Sequence, residues 1–221
     1  VKLHEKHGGV VPMLAKRVHG QNLVPLFEQL LESTKLETEK KELKIDSEKE
    51  ENIKKILKRE PELLESFSKF AKSAKKPSID LIAVTVGPGL EPALWVGINF
   101  ARALSLLWDI PIIPTNHMEG HILSPFLNTE QKIVFPALAL LISGGHTELV
   151  LFSEWGKYQV IGQTRDDAVG EAYDKVARML SLHYPGGPEI SRLAEKARTL
   201  GSDTSIIKLP RPMIHSDNFD F

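Results

Sequence analysis

The chain lacks cysteine entirely among its 221 residues, which excludes a disulfide framework, a thiolate zinc site and a cysteine nucleophile. It also lacks an excess of charge of either sign, because 28 basic residues face 29 acidic ones. A net charge of −1 gives no global basic field to hold nucleic acid, so any such binding must be local or shared with partners. Long apolar runs are absent as well, since stretches such as 133–142 are too short to span a bilayer.

What remains is the composition of an ordinary globular protein, with 42% hydrophobic and 26% charged residues. This length corresponds to one large domain or two small ones, and it is long enough to bury a core. The chain begins at Val1 and shows no signal peptide. We therefore expect a reducing, cytoplasmic setting, and we expect the chain to be a fragment of a longer protein.

Apolar spacing and turn signals predict an α/β architecture. Pro12 is expected to open a helix, after which leucines recur at helical spacing. A strand at 80–86, a helix at 97–108 and a strand at 110–114 form a strand–helix–strand unit. The other predicted elements are a helix at 117–127, a hairpin of 137–142 with 148–152, a strand at 158–161, and helices at 167–182 and 188–200.

The segment 36–76 differs sharply in composition from the rest of the chain. Between Lys35 and Glu60, 17 of 26 residues are charged, and their signs alternate. Such runs are typical of a solvated helix or a flexible insert. Pro61 interrupts the run, and the spacing of Leu63, Leu64, Phe67 and Phe70 predicts a short helix with one buried side. We interpret 36–76 as a whole as a charged surface insertion without a role in chemistry.

Two histidines, His117 and His121, are four residues apart in the sequence Asn116-His-Met-Glu-Gly-His. On a helix this spacing puts both imidazoles on one face, as a divalent transition metal requires. A catalytic site needs a third protein ligand, and two histidines with one carboxylate would suit iron or manganese. The zincin motif is excluded because Met118 stands where that motif has its general-base glutamate.

Two glycine-rich places are candidates for contact with an anion. Ser143-Gly144-Gly145 follows a predicted strand, and consecutive glycines let backbone N–H groups converge on a phosphate. An ordinary glycine hairpin explains the same pattern equally well. The turn 87–89 is open to the same two interpretations.

Three carboxylates, those of Asp167, Glu171 and Asp174, fall on one face if the helix predicted at 167–182 includes them all. Their repulsion should be offset by a ribose hydroxyl pair, a cation or a basic neighbour. A solvated helix face is the simpler alternative. Gly186 and Gly187 follow this helix and add a second point where a ligand could approach the backbone closely.

These segments together resemble the bacterial tRNA N6-adenosine threonylcarbamoyltransferase family, formerly described as O-sialoglycoprotein endopeptidases. The resemblance covers nearly the whole chain outside 36–76, and the collinear set is specific although each piece alone is weak. The matching stretches are His7-Gly-Gly-Val-Val-Pro12, Thr85-Val-Gly-Pro-Gly-Leu90, His117-Met-Glu-Gly-His121, Leu141-Ile-Ser-Gly-Gly-His-Thr147, Asp166-Asp-Ala-Val-Gly-Glu-Ala-Tyr-Asp174 and Tyr184-Pro-Gly-Gly-Pro188.

The resemblance implies an actin-like, sugar-kinase-like α/β fold of two lobes around a nucleotide cleft. We expect residues 1–130 to belong to the first lobe and 131–221 to begin the second. The implied reaction transfers a threonylcarbamoyl group from threonylcarbamoyl-AMP to N6 of adenosine 37 in tRNAs that read codons beginning with A. Also implied are two partner proteins, an inactive paralogue of the same fold and a P-loop ATPase.

The resemblance also assigns roles to individual residues. His117 and His121 match the family's metal ligands for Fe²⁺ or Zn²⁺. The positions that match its adenylate contacts are Leu141, Ile142, Ser143, Gly144, Gly145, Asp174 and Gly187. The family's phosphate loop should precede Val1, and its remaining ligands, including the metal's aspartate, should follow Phe221, so we expect this piece alone to be inactive.

Two other functions compete with the transferase. A metal-dependent glycoprotein endopeptidase would need a general base near His117, which Met118 does not provide. A non-catalytic scaffold of the same fold would have no reason to retain both histidines.

Overall fold

The computed structural model describes residues 9–38, 43, 45–201 and 208–221. Its contacts divide the chain into two units, Val10–Gly120 and the described residues from His121 to Phe221. Whether these units correspond to the two predicted lobes remains a prediction. Residues 7 and 8 of the first matching stretch, and 39–42 and 44 of the segment 36–76, lie outside the described residues.

The first unit contains four long helices. They are α1 (Pro12–Thr34), α2 (Ser47–Ile56), α3 (Pro61–Ser73) and α4 (Glu91–Trp108). A proline is the first residue of α1 and α3 and the second of α4, because the first turn of a helix needs no N–H donor and favours the φ of proline. The predicted start of α4 at 97 is therefore six residues late, since Pro92 lies in its first turn.

A strand–helix–strand unit completes the first unit, as predicted. Strand β1 (Ile82–Gly87) pairs in parallel with β2 (Ile112–Asn116), and α4 connects them. The short helix α5 (His117–Leu123) follows β2 directly and continues into a 3₁₀ turn, Ser124–Phe126. The Asn116 side chain accepts the backbone N–H of Met118 at 2.8 Å, which caps α5.

The segment that was expected to be a surface insertion contributes six of the fourteen buried residues of the first unit's core. Leu57, Leu63 and Phe67 are fully buried there, and Phe67 packs edge-on against Phe100 of α4 at 5.9 Å between ring centroids. The ends of the segment meet, since the Ser78 N–H donates to the Glu37 carbonyl at 2.8 Å. The surface expectation is wrong because α2 and α3 are amphipathic: their charges face solvent while one apolar side of each faces α1 and α4.

The second unit contains a three-stranded antiparallel sheet in the order β3 (Ala137–Ile142), β4 (Thr147–Glu154), β5 (Lys157–Gln163). The predicted hairpin is confirmed, with Ile142 opposite Thr147. The segment at the end of the chain lies against β5, where the Phe221 N–H donates to the Gln163 carbonyl at 3.2 Å.

Two helices follow the sheet, α6 (Val169–Met179) and α7 (Gly186–Thr199). Both were predicted, with boundaries that differ by two or three residues at most ends. Among the described residues, no helix is both long and apolar enough to cross a membrane.

Candidate functional site

The glycine loop between β3 and β4 is held by the side chain of Ser143. Its hydroxyl accepts the N–H groups of His146 at 3.0 Å and Gly145 at 3.4 Å, and the Ser143 N–H donates to the His146 carbonyl at 2.8 Å. A Cβ at Gly144 or Gly145 would meet nothing within 4 Å. The loop is therefore fixed from inside and open on its outer side, where a ligand can approach the backbone.

The first turn of α6 is attached to this hairpin. The Val169 N–H donates to the hydroxyl of buried Thr147 at 2.9 Å, and the Gly170 N–H donates to the Ser143 carbonyl at 3.2 Å. A Cβ on Gly170 would lie 2.8 Å from the Cα of Gly144, so only glycine permits this approach. Two of the N–H groups left unpaired at a helix start are thus satisfied by the loop and strand beside it.

Asp174 connects α6 to α7. Its Oδ1 accepts the Gly186 N–H at 2.7 Å, a charge-assisted bond to an N–H at the positive end of α7. Gly186 is buried, and a Cβ there would lie 2.3 Å from the Cβ of Ala177. Gly187, the next residue, would meet nothing within 4 Å with a Cβ and therefore faces open space. The Asp174 carboxylate, which the sequence suggests as a partner of a ribose hydroxyl, therefore also fixes the start of α7.

Asp167, Glu171 and Asp174 were predicted to share one face of a helix, and this prediction is wrong for Asp167. Asp167 precedes α6, whose N-cap is Ala168. The offsetting charge is a basic neighbour, Lys175, which pairs with Asp167 and lies 3.6 Å from Glu171. The hydrogen bond that the Lys175 ammonium donates to Asp167 raises the pKa of that ammonium.

The sequence-predicted adenylate residues therefore fall on connected elements of the second unit. Leu141 is buried and Ile142 is exposed at the end of β3. The loop with Gly144 and Gly145 contacts the start of α6, Asp174 lies about one turn further along α6, and Gly187 lies in the first turn of α7.

His117 and His121 both lie on α5, four residues apart as predicted. Both are exposed, whereas Met118 and Ile122 of the same helix are buried. A Cβ on Gly120 would meet nothing within 4 Å, so the space beside the histidines is open. The burial pattern therefore puts the two imidazoles on the accessible side of the helix and the thioether of Met118 on the packed side.

Comparison with known proteins decides the family. The family model for tRNA N6-adenosine threonylcarbamoyltransferase (TsaD) matches residues 1–43 and 53–221. The chain belongs to this family. Curated relatives named tRNA N6-adenosine threonylcarbamoyltransferase include those of Burkholderia pseudomallei, 43% identical over 100% of the chain, Herminiimonas arsenicoxydans, also 43% identical, and Paraburkholderia xenovorans, 40% identical. The chain spans about half the length of these relatives, 51% of the first and 52% of the other two.

The family match includes most of the segment 36–76 and leaves only 44–52 unmatched. Two family stretches that matched by sequence, 141–147 and 166–174, are joined by the hydrogen bonds of Thr147 and Ser143 to the start of α6. The motifs of the second unit therefore form one connected surface.

His117 and His121 of α5 could supply two of the ligands of a divalent metal. Two imidazoles one helical turn apart on an accessible face are a suitable pair of nitrogen donors. Within the residues that the structure describes, no group of three or more histidine, aspartate or glutamate side chains could hold a metal ion. The pair fits the metal that the resemblance implies, as part of a ligand set.

Sequence reasoning missed two residues that build the site, Thr147 and Gly170. It named Gly186 only as a point of ligand approach and missed its close packing against α6. A glycine in the first turn of a helix is a weak signal of close packing, because it costs helix stability without such a reason. The partners of these residues lie across tertiary contacts, so spacing along the chain alone does not identify them.

Proposed function

We propose that the protein containing this chain transfers a threonylcarbamoyl group from threonylcarbamoyl-AMP to N6 of adenosine 37 in tRNAs that read codons beginning with A. The observation that carries the proposal is the family match over 1–43 and 53–221. In this reaction the N6 amine attacks the carbamoyl carbon, loses a proton, and AMP departs with the electrons of the C–O bond. The proposal includes an actin-like two-lobed fold, a cytoplasmic location, and the inactive paralogue and P-loop ATPase as partners.

The adenylate would be bound by the second unit. The open outer side of the loop at Gly144 and Gly145 would leave room for a phosphate beside the backbone. Asp174 would accept a ribose hydroxyl while its Oδ1 holds the Gly186 N–H. Gly187 leaves room for the sugar because no side chain projects there.

His117 and His121 would hold the metal, Fe²⁺ or Zn²⁺, with further ligands from outside this chain. When bound, such an ion supplies a Lewis acid that polarises the carbonyl of the transferred group. The residues of this chain contribute the two nitrogen donors and, through the capping contact of Asn116 with Met118, a fixed start of the helix that bears them.

The transferase is favoured over the endopeptidase by the position of Met118. A peptidase of the zincin type needs a carboxylate at this place to activate water. Met118 is buried and carries no titratable group, so α5 offers no general base there.

A reconstitution assay tests the proposed reaction. The full-length protein, with the partner proteins, threonylcarbamoyl-AMP and unmodified tRNA, should form threonylcarbamoyladenosine, detected by mass spectrometry of digested nucleosides. Replacing adenosine 37 of the tRNA by guanosine should abolish the product. Cleavage of a glycoprotein without formation of the modified nucleoside would reverse the assignment.

The metal is tested separately by elemental analysis. The double variant His117→Ala with His121→Ala should lose the stoichiometric metal of the full-length protein. His183→Ala, a histidine outside α5, is the matched control and should retain the metal. A double variant as loaded as the parent would contradict the assignment of these two ligands.

A further inference from the structure

A cleft of about 620 Å³ lies within the first unit, and none of the residues assigned above lines it. Its walls are the start of α1, one face of α4, and the turn that joins α2 to α3. Five cationic side chains line it against the two carboxylates of Glu60 and Glu91. These cations are Lys16, Lys55, Lys58, Arg59 and Arg102.

The local charge contrasts with that of the chain, whose net charge is −1. Lys16 lies 3.3 Å from Glu60 and neutralises it, and Lys55 pairs with Glu51 at 2.8 Å. Lys58 and Arg59 are exposed at the mouth of the cleft. Within the described part of the chain, neither of these two side chains has an ion-pair partner, so both are available to an anionic ligand.

The floor of the cleft is a fixed polar network. Glu60 is only 2% exposed, and its Oε2 accepts the Asn99 amide N–H at 3.0 Å. The Lys16 ammonium also donates to the Arg59 carbonyl at 3.0 Å. Because a buried carboxylate with these partners orders the residues around it, the backbone that bears Lys58 and Arg59 is held in one position.

An exposed aromatic ring stands beside these cations. Trp95 lies on the cleft side of α4, four residues before Asn99 and seven before Arg102, so the three share a helix face. The indole is 43% exposed, whereas Trp108 of the same helix is buried in the core. A large aromatic ring left accessible in a basic cleft is a platform on which a planar group can stack.

A second cleft adjoins the first. Its volume is about 250 Å³, it shares four lining residues with the first cleft, among them Lys16 and Arg59, and it adds Arg17, which lies 3.6 Å from Glu62 of the same cleft. Because the two clefts share Lys16 and Arg59, they form one continuous groove across Arg59.

We propose that this groove binds a single-stranded segment of RNA, with a base stacked on Trp95 and the flanking phosphates at Lys58 and Arg59. Stacking platforms combined with cations that follow the backbone are the means by which proteins hold unpaired nucleotides. An acidic protein segment would use the cations but would have no need of an exposed indole. This inference rests on the proposed function, because it assigns the groove to part of the tRNA substrate.

The test compares binding of unmodified tRNA to the full-length protein and to charge-reversed variants, by fluorescence anisotropy of labelled tRNA. Lys58→Glu with Arg59→Glu should weaken binding at least tenfold and should lower the slope of log affinity against log salt by about one to two. Lys72→Glu with Lys75→Glu is the control, because these two exposed lysines lie in the same unit but outside the groove. Since charges far from the bound RNA are screened by salt, this variant should change the affinity for tRNA by less than about threefold.

A second pair of variants tests the stacking contact. Trp95→Leu should weaken tRNA binding about five- to a hundredfold, whereas Trp95→Phe, which keeps a ring, should restore most of the affinity. Unchanged tRNA binding by both the charge-reversed and the Trp95→Leu proteins, or a groove that binds an acidic peptide and not RNA, would overturn the inference. The nucleoside assay separates this inference from the proposed reaction. Variants that form product and bind tRNA as tightly as the parent contradict only the role of the groove. A parent protein that forms no product contradicts the proposed reaction itself.

Discussion

The two units of the chain differ in the contacts that stabilise each of them internally. In the first unit, large aromatic side chains from α1, α3 and α4 pack ring against ring, and Trp108 and Phe67 are almost fully buried. In the second unit, the glycine loop is joined to α6, and α6 to α7, by single hydrogen bonds and by contacts that only glycine permits. Alternate residues of β3, Leu138 and Leu140, are more than half exposed. The first unit should therefore be sensitive to lost volume, and the second to a single added methyl group or a lost hydroxyl.

The largest effect is expected in the aromatic core. Phe67→Ala removes a fully buried ring that contacts Phe70 and Phe100. The free energy of unfolding should fall by about 3–5 kcal/mol, because both the burial of the ring and the packing around it are lost. Denaturant-induced unfolding followed by tryptophan fluorescence measures this.

A matched control separates burial from helix propensity. Leu30→Ala alters α1 of the same unit at a side chain that is 53% exposed, so its cost should be about 0.5 kcal/mol or less. Equal losses in the two variants would mean that α3 is not part of the core.

The next largest effect is expected where α6 meets α7. Gly186→Ala puts a methyl group 2.3 Å from the Cβ of Ala177 and 2.9 Å from the Tyr173 carbonyl oxygen. Overpacking of this kind should cost about 1–3 kcal/mol. Gly187→Ala adds the same methyl group to the neighbouring residue, where nothing lies within 4 Å, and should leave the unfolding midpoint unchanged or slightly higher. If both variants unfold alike, the contact between the helices is not close.

These contrasts also show what could be predicted from the sequence. The start of α1 at Pro12 and the hairpin around Gly144 follow from local signals, a proline at the first helical position and glycines between two apolar strands. The spacing of His117 and His121 likewise put both on one helix. Such features depend on residues close together in the chain, and the structure confirms them.

The buried side of α3 is predicted by the spacing of Leu63, Phe67 and Phe70, but the place of α2 and α3 in the core could not be predicted in the same way. Their many charges dominate the composition, and the apolar positions Ile53, Leu57, Leu63 and Phe67 are spread over two short helices on either side of Pro61. The partners of these residues on α1 and α4 are distant in sequence. The same holds for the site: Gly170 and Gly186 are understood only from the atoms that a Cβ would meet.

A smaller effect is expected from the hydroxyl that joins β4 to α6. Thr147→Val keeps the shape of a side chain that is 3% exposed but removes the oxygen that accepts the Val169 N–H. Leaving that N–H unsatisfied should cost about 1 kcal/mol, with hydrogen exchange at Val169 accelerating more than exchange within the core of α4. Thr199→Val, an exposed threonine of the same unit whose hydroxyl donates to the Lys196 carbonyl, is the control and should have the weaker effect. Unchanged exchange at Val169 in Thr147→Val would show that this bond does not hold the helix start.

The smallest effect is expected from the exposed ion pairs of Lys175. Its hydrogen bond to Asp167 raises the pKa of the ammonium above the ordinary value of 10.5. Because folding raises this pKa, the stabilisation is complete below 10.5 and is lost only as the pH rises through the higher, folded value. Lys175→Met should therefore lower the thermal midpoint slightly and by the same amount at every pH between about 6 and 9. High salt should shrink the difference between the two proteins, since exposed pairs are screened. A difference that grew toward alkaline pH, or that resisted salt, would mean that Lys175 contributes through packing of its aliphatic stem rather than through its charge.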